Sequence, residues 1–194
     1  MIKYLLMDVH GVLTDGKERK RMVAYLEKRR GMHRRKHNVM WKKYINELDD
    51  GKMQPSSYLK IVNGTFGTDF SVREYYGLFL KRIKVNHALL RKLRSVKNVC
   101  IVSDTLSPIT SGLDALFGRQ FSKYRKFYSF RYGKGKPEGL LGVVVRKLGA
   151  RPKDCLLVDD SKKNIRTAKK AGLNAVLFRN NKALFREFRR FGII

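Results

Sequence analysis

The sequence contains few of the residues that define disulfide-rich, membrane-spanning or low-complexity proteins. Only two cysteines occur among 194 residues, and Cys100 and Cys155 each stand in a short apolar run, which is typical of buried thiols. No run approaches the roughly 20 consecutive apolar residues of a membrane helix. Residues 1–13 are largely apolar, but Asp8 interrupts them and no cleavage site of small residues follows. We therefore expect a soluble, cytoplasmic protein whose first segment is a strand.

Acidic residues are also scarce, with 16 Asp and Glu against 44 Lys and Arg and a formal net charge of +28. Such a charge attracts polyanions, so nucleic acid, phosphorylated metabolites and anionic membrane surfaces are candidate partners. Basic residues are dense in residues 17–36, and they alternate with aromatic residues in 121–132, which suits stacking on bases. The alternative is an ordinary solvated surface in a generally basic proteome. His33 and His37 lie four apart, and without a third ligand we expect a solvent-facing pair.

The order of the predicted elements indicates an α/β fold. Short apolar runs, typical of strands, occur at residues 3–9, 98–102, 127–130, 155–158 and 175–178. Helical patterns separate the later runs, and alternating strands and helices of this length favour a parallel sheet built from βαβ units. The result is a Rossmann-like three-layer α/β/α core. Residues 16–85 are helical throughout, so we predict a core of residues 1–15 and 86–194 with an inserted helical cap of residues 16–85.

Polar residues follow three of these runs. Ligands of open parallel sheets bind where the strands end at their carboxyl side, and there the sequence has Asp8, Ser103-Asp104 and Asp159-Asp160. Three carboxylates gathered at one edge repel one another unless a cation lies between them, and Mg²⁺ prefers such oxygen ligands. Together with the hydroxyl of Ser103 and the amine of Lys136, this set indicates a site that handles phosphate.

Four segments of the sequence resemble the four motifs of haloacid dehalogenase-type hydrolases. Residues 8–15 (DVHGVLTD) resemble the first motif, and the apolar strand ending in Ser at 99–105 (VCIVSDT) resembles the second. Residues 135–137 (GKP) resemble the third, and residues 156–161 (LLVDDS) with the helix that follows resemble the fourth. Each motif alone is weak evidence, but the four occur in the expected order across nearly the whole chain. The helical insertion is similar to the small cap of one large subgroup.

The resemblance implies a metal site and a nucleophile. Asp8 is expected to attack phosphorus, forming an aspartyl-phosphate, and to ligate Mg²⁺ through its second oxygen. The backbone carbonyl of His10 and the carboxylate of Asp160 are expected to complete the protein ligands, with Asp159 binding directly or through water.

The resemblance also implies a phosphate site. Ser103, Asp104 and Lys136 are expected to form the phosphate-binding site, with Ser103 and Lys136 holding the oxygens of the transferring phosphoryl group. Lys136 is further expected to offset the charge of Asp8. A helical cap is expected to close over this site, exclude water and select the leaving group.

His10 departs from the family pattern, which has a second aspartate as general acid and base at this position. An imidazole can perform both roles near neutral pH, because its ordinary pKa is roughly 6.5. Altered chemistry and weakened catalysis are the other interpretations of this residue.

Three functional hypotheses follow. The first is a Mg²⁺-dependent phosphatase for a small phosphorylated metabolite. The second is a protein with weakened catalysis that binds RNA or another polyanion. The third is a dehalogenase or phosphonate hydrolase. We expect no membrane partner, and a monomer or dimer.

Overall fold

The central element of the fold is a parallel β-sheet. The computed structural model describes the backbone of residues 1–194 and every side chain except that of Gln120. Its strands are β1 (Tyr4–Met7), β2 (Val99–Ser103), β3 (Arg125–Tyr128), β4 (Cys155–Asp159) and β5 (Asn174–Leu177). They pair in parallel in the order β3-β2-β1-β4-β5. The predicted α/β fold class is therefore confirmed, and the observed strands overlap the predicted runs with ends that differ by at most two residues.

Helices account for most of the remaining chain. In chain order they are α1 (Glu18–Arg30), α2 (Arg34–Asp49), α3 (Pro55–Phe66), α4 (Val72–Leu80), α5 (His87–Leu93), α6 (Ser107–Phe117), α7 (Arg119–Ser122), α8 (Leu141–Leu148), α9 (Lys162–Lys170) and α10 (Asn181–Arg190). Within the described residues, none of these helices is long and apolar enough to cross a membrane.

The sheet is covered on both faces because successive side chains of a strand point to opposite sides. In β1, Leu5 and Met7 pack in the larger apolar cluster, which also receives α5, α6 and α10. Leu6 points the other way, into a cluster formed with α8 and α9. Cys100 and Cys155 are free and buried in this second cluster, as the sequence predicted. The core is thus a three-layer α/β/α arrangement.

Helices α1 to α4, which we call the helical block, lie between β1 and β2 in the chain and pack on one another. The block contacts the rest of the protein mainly where α4 packs against α6. Its internal boundaries follow local signals, because Gly31 ends α1 in the left-handed conformation and Pro55 occupies the first turn of α3. Ser71 caps α4 through a complete capping box with Glu74.

The two chain segments that join the helical block to the core run side by side. Thr14 and Val85 form an isolated antiparallel bridge. The amide of Asp15 donates to the carbonyl of Lys84 at 3.1 Å, and the amide of Asn86 donates to the carbonyl of Leu13 at 2.8 Å. The chain therefore enters and leaves the block at one narrow double connection.

One histidine prediction was wrong. His37 is fully buried, and its Nε2 lies 2.6 Å from the hydroxyl of Tyr75. Burial lowers the pKa of His37 to about 4, so the ring is neutral at pH 7. The neighbouring residues of α2 are mostly basic, so nothing in the sequence indicated that position 37 is buried. His37 packs inside the helical block.

The capping box of α4 gives a testable stability prediction. Replacing Ser71 by Ala leaves the amide of Glu74 without its acceptor, so we expect the free energy of unfolding to fall by about 1 kcal/mol. Ser57→Ala is a matched control at an exposed position in the first turns of α3, where we expect a change within about 0.5 kcal/mol. Urea unfolding followed by circular dichroism measures both, and equal effects would contradict the capping role.

Candidate active site

Asp8 lies immediately after the central strand, at the carboxyl edge of the sheet. Its amide donates to the carbonyl of Val158 at 3.0 Å, which extends the pairing of β1 with β4 by one residue. The side chain is 5% exposed. The position follows from the strand order, because β1 has β2 on one side and β4 on the other. Residues that end these three strands must therefore meet.

Lys136 brings a positive charge to this point. Its Nζ lies 2.8 Å from Oδ1 of Asp8 and 2.5 Å from Oδ2 of Asp159, and it donates to the carbonyl of Val102 at 3.3 Å. The lysine is 1% exposed, so the three partners replace the water that an ammonium group needs. Burial lowers the pKa of Lys136, but the charges of Asp8 and Asp159 outweigh it and raise the pKa above the ordinary value.

Asp159 is the most completely bonded carboxylate of the site. Besides Lys136, it accepts hydrogen bonds from the amide of Ser161 at 2.8 Å and from Nδ2 of Asn164, which reaches both carboxylate oxygens at 3.1 and 3.2 Å. Ser161 caps α9, and Asn164 lies in its first turn. The side chain of Asp159 is fully buried. The start of α9 thus fixes this carboxylate.

Asp160 differs from its neighbour because it is exposed. One oxygen each of Asp8, Asp159 and Asp160 lie within 4.8 Å of one another, a spacing that suits a shared cation. Gly11 has φ of 85° and approaches the carboxylate of Asp160 so closely that a Cβ at this position would overlap it. The oxygen donors fit a hard divalent ion such as Mg²⁺.

The acidic cluster is electrostatically strained. Burial raises the pKa of Asp8 above its usual range, Lys136 opposes this shift, and the charge of Asp159 adds to it. Burial, followed by the charge of Asp159, likewise raises the pKa of Asp160. A cation among the three carboxylates would remove this repulsion.

Ser103 and Asp104 end β2 beside this cluster. Ser103 is fully buried, and its hydroxyl donates to the carbonyl of Asp104 at 3.4 Å. Oδ1 of Asp104 accepts a hydrogen bond from the backbone amide of Lys136 at 2.9 Å. The carboxylate of Asp104 therefore holds the start of the loop that carries Lys136.

The side chain of His10 contacts the helical block. Its Nδ1 lies 2.6 Å from Oε1 of Glu18, and its Nε2 lies 3.3 Å from the hydroxyl of Thr105. Phe79 contacts the ring in an edge arrangement with centroids 5.7 Å apart. Burial lowers the pKa of His10, but the hydrogen bond and charge of Glu18 outweigh it, so the pKa is raised overall.

A cavity of about 220 Å³ opens above His10 between the core and the helical block. Trp41, Ile45 and Phe79 line it from the block, and Ile109 lines it from the core. Asp49, at the end of α2, also faces this cavity. Burial, followed by the charge of Asp104, raises the pKa of Asp49 to about 8.

The structure brings together all of the predicted site residues, namely Asp8, His10, Ser103, Asp104, Lys136, Asp159 and Asp160. Sequence reasoning missed Glu18 and Thr105 as partners of His10, and it gave Asn164 no role. Glu18 starts a strongly basic helix, and no spacing rule links it to His10. Asn164 at the third residue after a strand-ending Asp-Asp-Ser could have been recognised as a carboxylate partner.

Comparison with known proteins identifies the class to which this fold and site belong. The sequence pattern of a hydrolase family described as haloacid dehalogenase-like hydrolase matches residues 2–172. The chain therefore belongs to the haloacid dehalogenase-like hydrolase family. No curated protein matched the sequence.

Solved structures share the fold at low sequence identity. A HAD family enzyme from Bacteroides thetaiotaomicron, crystallised with magnesium and inorganic phosphate, has a TM-score of 0.79 and 20% identity over 95% of this chain and 100% of that chain. A protein from Porphyromonas gingivalis that is described as a predicted HAD-like family hydrolase has a TM-score of 0.78 and 18% identity over 97% of this chain and 98% of that chain. L-2-haloacid dehalogenase from Xanthobacter autotrophicus has a TM-score of 0.68 and 18% identity over 100% and 85%.

The buried lysine gives a prediction on stability. Replacing Lys136 by Met leaves Asp8 and Asp159 buried without their counter-charge, so we expect the free energy of unfolding to fall by about 3–5 kcal/mol at pH 7. The loss should shrink as the pH falls, because protonated carboxyls need no cation. Lys163→Met is the control, since its ion pair with Glu138 is exposed and should contribute under about 1 kcal/mol. Similar losses in urea unfolding would show that Lys136 is not needed for charge compensation.

Proposed function

We propose that this protein is a Mg²⁺-dependent phosphomonoesterase that acts on a small phosphorylated metabolite through an aspartyl-phosphate intermediate. The observation that carries the proposal is the convergence of Asp8, Asp159 and Asp160 at one sheet edge, with the amine of Lys136 between two of them. The carboxylate of Asp8 lies beside the ammonium group of Lys136 and beside two other carboxylates that could bind a metal ion. This arrangement suits attack of Asp8 on phosphorus.

Four residues would hold the metal. The carboxylates of Asp8 and Asp160 supply free oxygens, and the backbone carbonyl of His10 completes the set. Asp159 already accepts bonds from Lys136, Ser161 and Asn164, which favours a contact through water. When bound, Mg²⁺ offsets the negative charge of the phosphoryl oxygens and of the cluster itself.

Asp8 is the proposed nucleophile. Its carboxylate oxygen forms a bond to phosphorus while the bond from phosphorus to the leaving alcohol breaks. Lys136 offsets the charge of the transferring group, and the hydroxyl of Ser103 donates to it. Asp104 contributes differently from what the sequence suggested, because its carboxylate would repel a phosphate and instead holds the amide of Lys136.

His10 is the proposed general acid and base. In the first step its protonated ring donates a proton to the oxygen of the leaving alcohol. In the second step the neutral ring takes a proton from water, whose oxygen attacks phosphorus. The bond between phosphorus and Asp8 then breaks, which frees inorganic phosphate and restores the carboxylate.

We further propose that residues 16–85 form the cap over a core of residues 1–15 and 86–194. The narrow double connection at Thr14 and Val85 supports a hinge at this point. The cavity of about 220 Å³ that the helical block lines on one side favours a small leaving group. Its aromatic and aliphatic walls favour an alcohol with an apolar part.

The metal proposal gives a prediction on thermal stability. Millimolar Mg²⁺ should raise the midpoint of thermal unfolding, because it binds the folded protein and relieves the repulsion among the carboxylates. Asp160→Asn should abolish most of this shift. Asp69→Asn is the control, since Asp69 is exposed and lies in the helical block outside the site. An unchanged midpoint in wild-type protein at saturating Mg²⁺ would contradict the metal site.

The nucleophile gives the central prediction on activity. Asp8→Asn should lower kcat for phosphate release from small phosphomonoesters by at least about 10³-fold, because the amide is a poor nucleophile. Asp114→Asn, which alters the ion pair between the exposed Asp114 and the partly buried Lys126 outside the site, should leave kcat unchanged. A colorimetric phosphate assay with Mg²⁺ over a broad substrate panel measures both.

The same purified protein separates the competing hypotheses. Release of halide from 2-haloacids, or cleavage of a carbon–phosphorus bond, would favour the dehalogenase or phosphonate hydrolase alternative. No turnover of any phosphomonoester, together with RNA binding that weakens steeply with salt and is unaffected by Asp8→Asn, would favour the polyanion-binding alternative.

A further inference from the structure

We infer that Glu18 is a positioning residue that fixes the imidazole of His10 for proton transfer to the leaving group. The inference rests on the proposed function, in which His10 is the general acid and base. Glu18 is the first residue of α1, so it belongs to the helical block, whereas His10 belongs to the loop that follows β1. The pair therefore joins the two parts of the protein directly above the acidic cluster.

The geometry around the ring of His10 decides which nitrogen carries the proton. A carboxylate at neutral pH only accepts hydrogen bonds, so the 2.6 Å contact between Oε1 of Glu18 and Nδ1 of His10 requires the proton to be on Nδ1. Nε2 is then the nitrogen that exchanges a proton with the substrate. It lies 3.3 Å from the hydroxyl of Thr105, on the side of the cavity. Phe79 against the ring restricts the remaining rotation.

The side chain of Glu18 is itself held in place. Its side chain is 3% exposed, and its Oε1 also accepts a hydrogen bond from the hydroxyl of Thr14 at 3.2 Å. The hydroxyl of Thr14 in turn accepts hydrogen bonds from the backbone amides of Gly11 and Gly16 at 3.2 and 3.3 Å. The carboxylate thus sits at a defined point relative to the loop that carries His10.

The negative charge of the buried Glu18 carboxylate also favours this role. A buried carboxylate is costly without a partner, and this chain has 44 Lys and Arg from which to supply one. Among the side chains that the structure describes, the ion-pair partner of Glu18 is His10, and Oε2 of Glu18 accepts no hydrogen bond. A residue kept for packing alone would not need a carboxylate here. The carboxylate of Glu18 is therefore paired with the imidazole of His10.

This arrangement explains why a histidine can stand where the family has an aspartate. An aspartate at position 10 would face the carboxylate of Glu18, and the two like charges would repel each other. We therefore expect His10→Asp to lower kcat in this protein, and we expect the favourable effect of Glu18 on activity to require His10. A double-mutant cycle measures that dependence directly.

The experiment compares wild type, Glu18→Met, His10→Asp and the double variant with propyl phosphate and p-nitrophenyl phosphate as substrates. Met has a similar volume but accepts no strong hydrogen bond. For propyl phosphate, whose alcohol needs a proton to leave, Glu18→Met should lower kcat/KM by about 10²-fold, because kcat/KM reports the first step and excludes the hydrolysis step that both substrates share. For p-nitrophenyl phosphate the loss should be below about 10-fold. In the His10→Asp background, Glu18→Met should cause no further loss.

Two further variants control for indirect effects. Glu18→Gln keeps a carbonyl oxygen that can accept from Nδ1, so it should retain more activity on propyl phosphate than Glu18→Met. Glu27→Met lies on the same helix in a more exposed ion pair with Arg34 and should not change kcat. Equal losses from Glu18→Met in both backgrounds, or equal losses on both substrates, would show a structural role only and overturn the inference.

A measurement without turnover keeps the inference testable on its own. In protein labelled with ¹⁵N-histidine, at a pH where the ring is neutral, the ring nitrogens of His10 should show a proton on Nδ1, and Glu18→Met should shift the tautomer population. A proton on Nε2 in the wild type would overturn the inference even if phosphatase activity is present. Absence of phosphatase activity with the Nδ1 proton in place would instead contradict the proposed function.

Discussion

The ammonium group of Lys136 lies between Asp8 and Asp159 in a space that is closed to bulk water, and the rest of the site is built around this contact. Each carboxylate ends one of two adjacent strands, so their separation is set by the spacing of the sheet. The lysine comes from a different part of the chain, and the carboxylate of Asp104 fixes its backbone at the end of β2. Three strands and one loop must be in place before these charges compensate one another.

Charge is distributed unevenly over the molecule. The protein has a net charge of +28, yet the carboxylate cluster lies in its interior, and a second cavity of about 210 Å³ is lined by Asp49, Asp50, Asp104 and Glu138 with Lys163 as its basic residue. The field of the exterior draws in anions from a distance. The carboxylates inside repel them unless a divalent cation is present. Attraction of a phosphorylated molecule and its tight binding would thus depend on different parts of the protein.

The fold could be predicted from the sequence because it follows from local patterns. Apolar runs of four to seven residues gave the strands, and the change to three- and four-residue spacing gave the helical block. The acidic cluster could be predicted for a related reason, since parallel strands place their carboxyl ends at one edge. Family motifs then gave each of these residues an expected role.

The partners of the site residues could not be predicted in the same way. The contact between His10 and Glu18 depends on the direction in which α1 leaves the bridge of Thr14 with Val85, and the contact between Asp49 and the cavity depends on how α2 packs over the core. No periodicity in the sequence encodes either angle. His37 shows the same limitation, because its burial is decided by Tyr75 and Phe66, which come from other helices. Local sequence fixes the elements, and tertiary packing decides which side chains meet.

The central position of β1 in the sheet has a consequence for the order of assembly. Leu6 pairs with Cys100 on one side and with Leu157 on the other, so both neighbours of this strand come from distant parts of the chain. Sequence separations of this size slow folding, since much chain entropy is lost before the contacts form. On the ribosome, β1 is made before its two partners, and the edge that faces β4 stays open until β4 has been synthesised. The segment that bears Asp8 therefore acquires its final shape late, whereas helices α1 to α4 find most of their partners close by in the chain.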